Sequence, residues 1–219
     1  MNNDRLITVG GIAFAALTLA GIFMVLPGIA GGDTTNAEAA AWMQESAHRA
    51  RAIAGAYLMC AGAVAMVVFL AGVTGRLRAS QAAPGVIEVA RLAGLSFVVC
   101  QLVAAIAMAG VAYAVSSGNE PTPIDPGATR ISTFGLAVWL IPGMISAALF
   151  TASVAIGALT TKAFPAWVGL SGLLLAAILL AAITFLPALL LMVWSAAVAL
   201  VAMVHHPADA PIEMSAAPT

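Results

Sequence analysis

Residues able to carry chemistry are sparse in this chain and fall in a few places. The stretch AEAAAWMQESAHRARA, Ala37 to Ala52, holds two glutamates, a histidine and two arginines. A carboxylate near an imidazole is the minimal apparatus of proton transfer, so this stretch is the first candidate. Gln101 stands deep in an apolar run, where an amide with donors and lone pairs needs partners. Together with Tyr57 and Thr151 it marks a possible ligand cavity, or else a helix-to-helix polar contact. Glu88 and Arg91, three apart at the start of another run, are spaced to pair at an interface; the competing use is a proton relay. His205, His206 and Asp209 could hold a metal weakly, but they begin a Pro- and Ala-rich tail, 205–219, that is expected to be disordered and cytoplasmic. No Gly-rich phosphate loop, CxxC, HExxH or GxSxG is present. The expectation is therefore no catalytic residue, no metal and no cofactor, and a protein that is not an enzyme.

The elements that position these residues follow from composition. Only 8% of the chain is charged and 63% is hydrophobic, about a third of the charge a soluble domain of this size carries on its surface. With a mean hydropathy of +1.07, the chain must meet lipid as solvent. A net charge of −1 leaves no basic field for nucleic acid. Cys60 and Cys100 both lie inside apolar runs and read as small hydrophobes.

Apolar runs cover Leu6 to Ala30, Ala52 to Gly75, Val89 to Val115, Ile131 to Ala158 and Ala166 to Val204. The first is about twice the length of a secretory h-region and is expected to be retained as a span. The last would measure about 58 Å as one helix, nearly twice the ~30 Å of hydrocarbon, so it must turn. Proline lacks an N–H donor, which makes Pro187 the expected end of one helix. Pro142 is expected to kink the fourth span. Unsatisfied backbone is costly in lipid, so the fold class is all-α: a polytopic transmembrane helical bundle over 1–204 with six spans, or five if the last run does not turn.

Six spans put both termini on one side with Arg5, Arg76, Arg78, Arg91 and Lys162, against Arg49, Arg51 and Arg130 on the other. The positive-inside bias then places the termini in the cytoplasm and the opening stretch outside. There, Thr35 and Glu38 form a capping-box pattern and Glu45 and Arg49 an i, i+4 pair. The segment 35–51 is expected to be a helix running without interruption into the second span. Small residues are spaced for close packing at Ala52, Ala56, Cys60 and Ala63, and at Gly143, Ala147, Thr151 and Ala155.

The outer segment leading into a span that ends in Phe69, Leu70, Arg76 and Arg78, followed later by the Pro165, Trp167, Gly169 entry, resembles a family of uncharacterised small multi-pass proteins of actinobacteria. The resemblance implies a six-helix protein of the cytoplasmic membrane and carries over no catalytic residue. Two functions are then expected to compete. One is a non-enzymatic bundle whose partners are the lipid bilayer and other membrane proteins. The other is a carrier or sensor for a small apolar or lipidic molecule, which calls for a cavity with converging polar groups.

Overall fold

A computed structural model describes residues 2–31, 33–118, 123–181 and 186–204. The described residues are helical along most of each apolar run, because only a helix satisfies every backbone group within its own segment. The helices are α1 (Asn3–Val25), α2 (Asn36–Trp42), α3 (Ser46–Ala79), α4 (Pro84–Ser116), α5 (Arg130–Val138), α6 (Met144–Thr161), α7 (Ala166–Leu180) and α8 (Leu186–Val204). Five stretches are long and apolar enough to cross a membrane: Asn3–Gly28, Ser46–Ala79, Pro84–Ser116, Pro126–Thr161 and Leu186–Val204. The chain is an all-α, multi-pass membrane bundle. The seventh helix is apolar but has only 15 residues, about 22 Å. The tail 205–219, with His205, His206 and Asp209, lies outside the described residues.

Pro142 acts as a widened turn. Because it has no N–H to return to Val138, the ladder opens into a π-helical stretch at Trp139–Gly143 that joins α5 to α6 in one continuous run. Pro187 departs from expectation. It is the second residue of α8, so it opens that helix and does not close α7. A first-turn proline gives up only an N–H that would have had no helical partner.

The core is built on the α1–α3 pair, the most extensive contact in the bundle. Glycines make the approach possible: a Cβ on Gly21 would lie 2.6 Å from the carbonyl oxygen of Gly55, and one on Gly55 2.8 Å from that of Gly21. Lipid removes the hydrophobic drive between helices, so dispersion across such a seam carries the association. Edge-on aromatic pairs tie in the next layer. Phe14 of α1 meets Phe97 of α4 at 5.9 Å, and Phe69 of α3 meets Phe150 of α6 at 6.2 Å. The Gly143, Ala147, Thr151, Ala155 stripe is buried throughout. On α3 the stripe divides: Ala52 and Ala63 are buried, Ala56 and Cys60 only half-buried.

Chain direction follows from two contacts. Arg76, near the end of α3, pairs with Asp4 at the start of α1. Thr8 donates to the carbonyl of Ala199 at 3.2 Å, so the end of α8 lies beside the start of α1. This is the Asp4 end of the bundle. At the opposite end, Thr129 donates to Asn36 and Thr133 to the carbonyl of Ala30. That is the Glu38 end.

The seam predicts opposite outcomes for two glycines. Gly55→Val should cost about 1–3 kcal/mol by forcing α1 from α3. Gly110, with open space where a Cβ would go, should tolerate alanine and gain up to about 1 kcal/mol of helix propensity. Thermal unfolding of the purified variants in one detergent distinguishes them.

Candidate functional site

The segment 35–51 is a folded corner. Thr35 caps α2, with Glu38 N–H donating to its hydroxyl at 3.2 Å and Glu38 Oε2 accepting from Thr35 N–H at 2.7 Å and from the hydroxyl at 2.9 Å. The capping box is therefore present. The uninterrupted helix is not: α2 ends at Trp42, and α3 begins at Ser46. The break has a side-chain cause. His48 Nδ1–H donates to the Trp42 carbonyl at 2.8 Å while its ring stacks on the indole at 4.5 Å. Arg49 donates to the carbonyls of Met43 and Gln44 at 2.9 and 2.6 Å. These donors cap a helix end that would otherwise leave carbonyls unsatisfied. The turn also drives Met43 into a small apolar cluster with Val111, Val115 and Ile124. Arg49 is thus engaged with backbone; the acid beside this turn, Glu45, lies 3.6 Å from His48 and not in the expected pair with Arg49.

Gln101 is fully buried. Its amide nitrogen donates to Thr18 Oγ1 at 3.0 Å and to the Met59 carbonyl at 2.9 Å, so it links α4 to α1 and α3. Oε1 has no partner among the described residues. Thr151 is also fully buried and returns its hydroxyl to the carbonyls of Ala147 and Ala148 on its own helix. Tyr57 is 71% exposed and faces outward, lining a groove of about 290 Å³ with Cys60 and Tyr113 that includes neither Gln101 nor Thr151. The three residues expected to share a cavity are therefore dispersed, because their helices turn them to different sides. Glu88 and Arg91 do pair, at 3.5 Å, with both side chains about half exposed. Such an exposed i, i+3 pair is a weak link at the Asp4 end.

The most heavily engaged polar residue is one that the sequence reading used only as a charge marking one side of the membrane. Arg76 is 3% exposed. Its guanidinium donates to Asp4 Oδ1 at 2.8 Å and, through Nε, to the Ala163 carbonyl at 2.9 Å, and it lies 4.6 Å over the Phe164 ring. Ala163 and Phe164 form the α6–α7 connection and are themselves buried. One side chain therefore holds the start of α1, the end of α3 and the entry to α7. The sequence reading missed this pair; the signal that could have found it is that Asp4 and Arg76, of opposite charge, fall at helix ends expected on the same side.

Two further hollows adjoin at the Glu38 end. One, of about 380 Å³, is apolar and lies along α5, the π turn and the end of α7. The other, of about 590 Å³, is lined by Thr34, Thr35, Asn36 and Arg130. Compared with known protein families, curated proteins and solved structures, the chain shows no match in any of the three.

Two predictions follow from these contacts. Arg76→Met should cost about 3 kcal/mol or more, because it leaves a half-buried carboxylate and a buried carbonyl without their donor. Gln101→Leu strands only Thr18 and Met59 and should cost about 1 kcal/mol, in keeping with interhelical bonds in membranes. Detergent-solubilised melting curves rank the two. Separately, the Thr35 backbone N–H and hydroxyl hold the Glu38 carboxyl below its ordinary range. A carboxyl lowered on folding stabilises α2 above its unfolded value of about 4.3, and that contribution is lost as pH falls through the lowered value. Carbon chemical shifts of Ala39, Ala40 and Ala41 should therefore lose helical character on acidification, and Glu38→Gln should remove that dependence.

Proposed function

We propose that the chain is a six-crossing protein of the cytoplasmic membrane, both ends of the bundle's chain lying in the cytoplasm, that works without catalysis by binding other membrane components. The observation that carries the reading is where its buried polar groups are spent. Gln101 bonds to Thr18 and Met59, Ser132 to the Met108 carbonyl and Trp194 to Ser171, each from one helix to another, while Thr74, Thr151, Ser153 and Ser195 return their hydroxyls to their own helices. Groups used in this way hold a scaffold together. Exposed charges lie at both ends of the bundle, Arg5, Arg78, Glu88, Arg91 and Lys162 at the Asp4 end and Glu45 and Arg130 at the Glu38 end.

The sixth crossing is α7. At about 22 Å it is shorter than the hydrocarbon, and its buried entry at Ala163 and Phe164 lets it begin below the surface. Orientation rests on five basic residues at the Asp4 end against three at the other. A second reading, a sensor or carrier of a lipidic molecule, is favoured by the apolar hollow beside α5.

In protein lacking Cys60 and Cys100, a cysteine at Ala128 should react with an impermeant thiol reagent in intact cells and one at Ala79 should not. A reporter fused after Val204 should read cytoplasmic. An external reporter would mean that α7 does not cross, and the reverse labelling pattern would invert the orientation.

A further inference from the structure

The trough at the Glu38 end combines a wet mouth and a dry channel. Thr133 and Ala137 line both hollows, so the two adjoin. The dry part is walled by Leu136, Leu140, Ile141, Ile145, Leu179 and Leu180. It is open because α7 packs along α6 and makes little contact with α5, leaving Ile141 63% exposed. From Thr133 to Ile145 the wall is about 18 Å long, close to the depth of one bilayer leaflet, which is about half of 30 Å.

The mouth favours an anion. Arg130 is exposed, and among the described residues it has neither a hydrogen bond nor an ion pair. It stands in the first turn of α5, where the helix dipole disfavours a cation, so helix stability does not account for it. Among the described residues Arg130 is the one charged residue lining either hollow; the nearby acids lie off the lining, Asp125 accepting from Gly127 N–H at 2.7 Å, Glu38 accepting from Thr35, and exposed Asp33 standing beside Thr34. Thr133 spends its hydroxyl proton on the Ala30 carbonyl. Asn36 Oδ1 lies 3.2 Å from the Thr129 hydroxyl, whose shorter bond, 2.7 Å, goes to the Pro126 carbonyl.

We propose that this trough binds an anionic lipid, with the phosphate of the head group held by Arg130 and one acyl chain lying along α5 and the π turn against the end of α7. The proposal rests on the second reading above, that the protein engages a lipidic molecule. A free phosphate would use the mouth and leave the apolar channel without purpose, whereas an anionic amphiphile fills both. A zwitterionic lipid would bring a second, cationic group against the guanidinium.

The test uses the full chain in neutral detergent, offered equal amounts of phosphatidylglycerol and phosphatidylcholine with identical acyl chains, the adducts being counted by native mass spectrometry. Wild type should retain phosphatidylglycerol over phosphatidylcholine by roughly tenfold, as one charge-assisted contact allows. Arg130→Gln should abolish the preference, Arg130→Lys should keep it, and Arg51→Gln, at the same end but bonded to the Phe23 carbonyl, should leave it unchanged. Ala137→Trp fills the trough and should release both lipids. Glycerol phosphate at the same concentration should not compete. If Arg130→Gln fails to fold, Arg130→Lys and Ala137→Trp decide. A preference that survives Arg130→Gln, or retention that survives Ala137→Trp, overturns the site while leaving the lipidic reading in place. No retained lipid of either kind overturns the reading itself, and competition by glycerol phosphate reassigns the mouth to a free anion.

Discussion

The Asp4 end of the bundle depends on a single guanidinium. A connection such as Ala163–Phe164 carries backbone groups that no helix satisfies, and it is buried. Left without a donor in an apolar surround, its carbonyl would cost several kcal/mol. Arg76 supplies the donor at 2.9 Å, and its own charge is met by Asp4 at 2.8 Å and by the face of Phe164. The same side chain therefore removes two penalties at once, the stranded carbonyl and the unpaired charge. A lysine could not do this, since a point charge offers neither the fork nor the stacking plane.

The short α7 is the element this arrangement serves. Fifteen residues do not match the length of α3, which has 34, or α4, which has 33. Sinking its entry at one end still leaves the outer face of α5 uncovered at the other, since α7 stops at Leu180. Buried loop and open trough are thus two consequences of one mismatch. The π turn at Trp139–Gly143 adds to it by widening the neighbouring helix just where the trough lies.

Helix existence was legible from hydropathy because lipid leaves the backbone no other form, and the described residues of each apolar run are mostly helical. The Thr35–Glu38 box was legible because both partners are local. What escaped was non-local. The break at Met43–Glu45 comes from His48 and Arg49 reaching back to carbonyls and from Met43 finding a pocket among Val111, Val115 and Ile124, and no periodicity encodes that. Pro187 marked the right neighbourhood but the wrong side of the boundary, since proline suits a helix start as well as it forbids a continuation. Gln101 was correctly read as needing partners, but its partners, Thr18 and Met59, are on other helices than those of Thr151 or at a different face from Tyr57. Counting Arg76 only as a charge marking one side of the membrane gave the correct end of the bundle and missed its burial, because charge counting does not see that Asp4 lies across from it.

The most direct measurement of this account is a double-mutant cycle on the pair that completes the guanidinium's contacts. Stabilities of wild type, Asp4→Asn, Arg76→Met and the double variant, taken in one detergent, give the coupling between α1 and α3 at that point. The account predicts a coupling of about 1–3 kcal/mol, with the double variant little worse than Arg76→Met alone. Effects that add to within about 0.5 kcal/mol would show two independent residues, and the Asp4–Arg76 contact would then not be what holds this end of the bundle together.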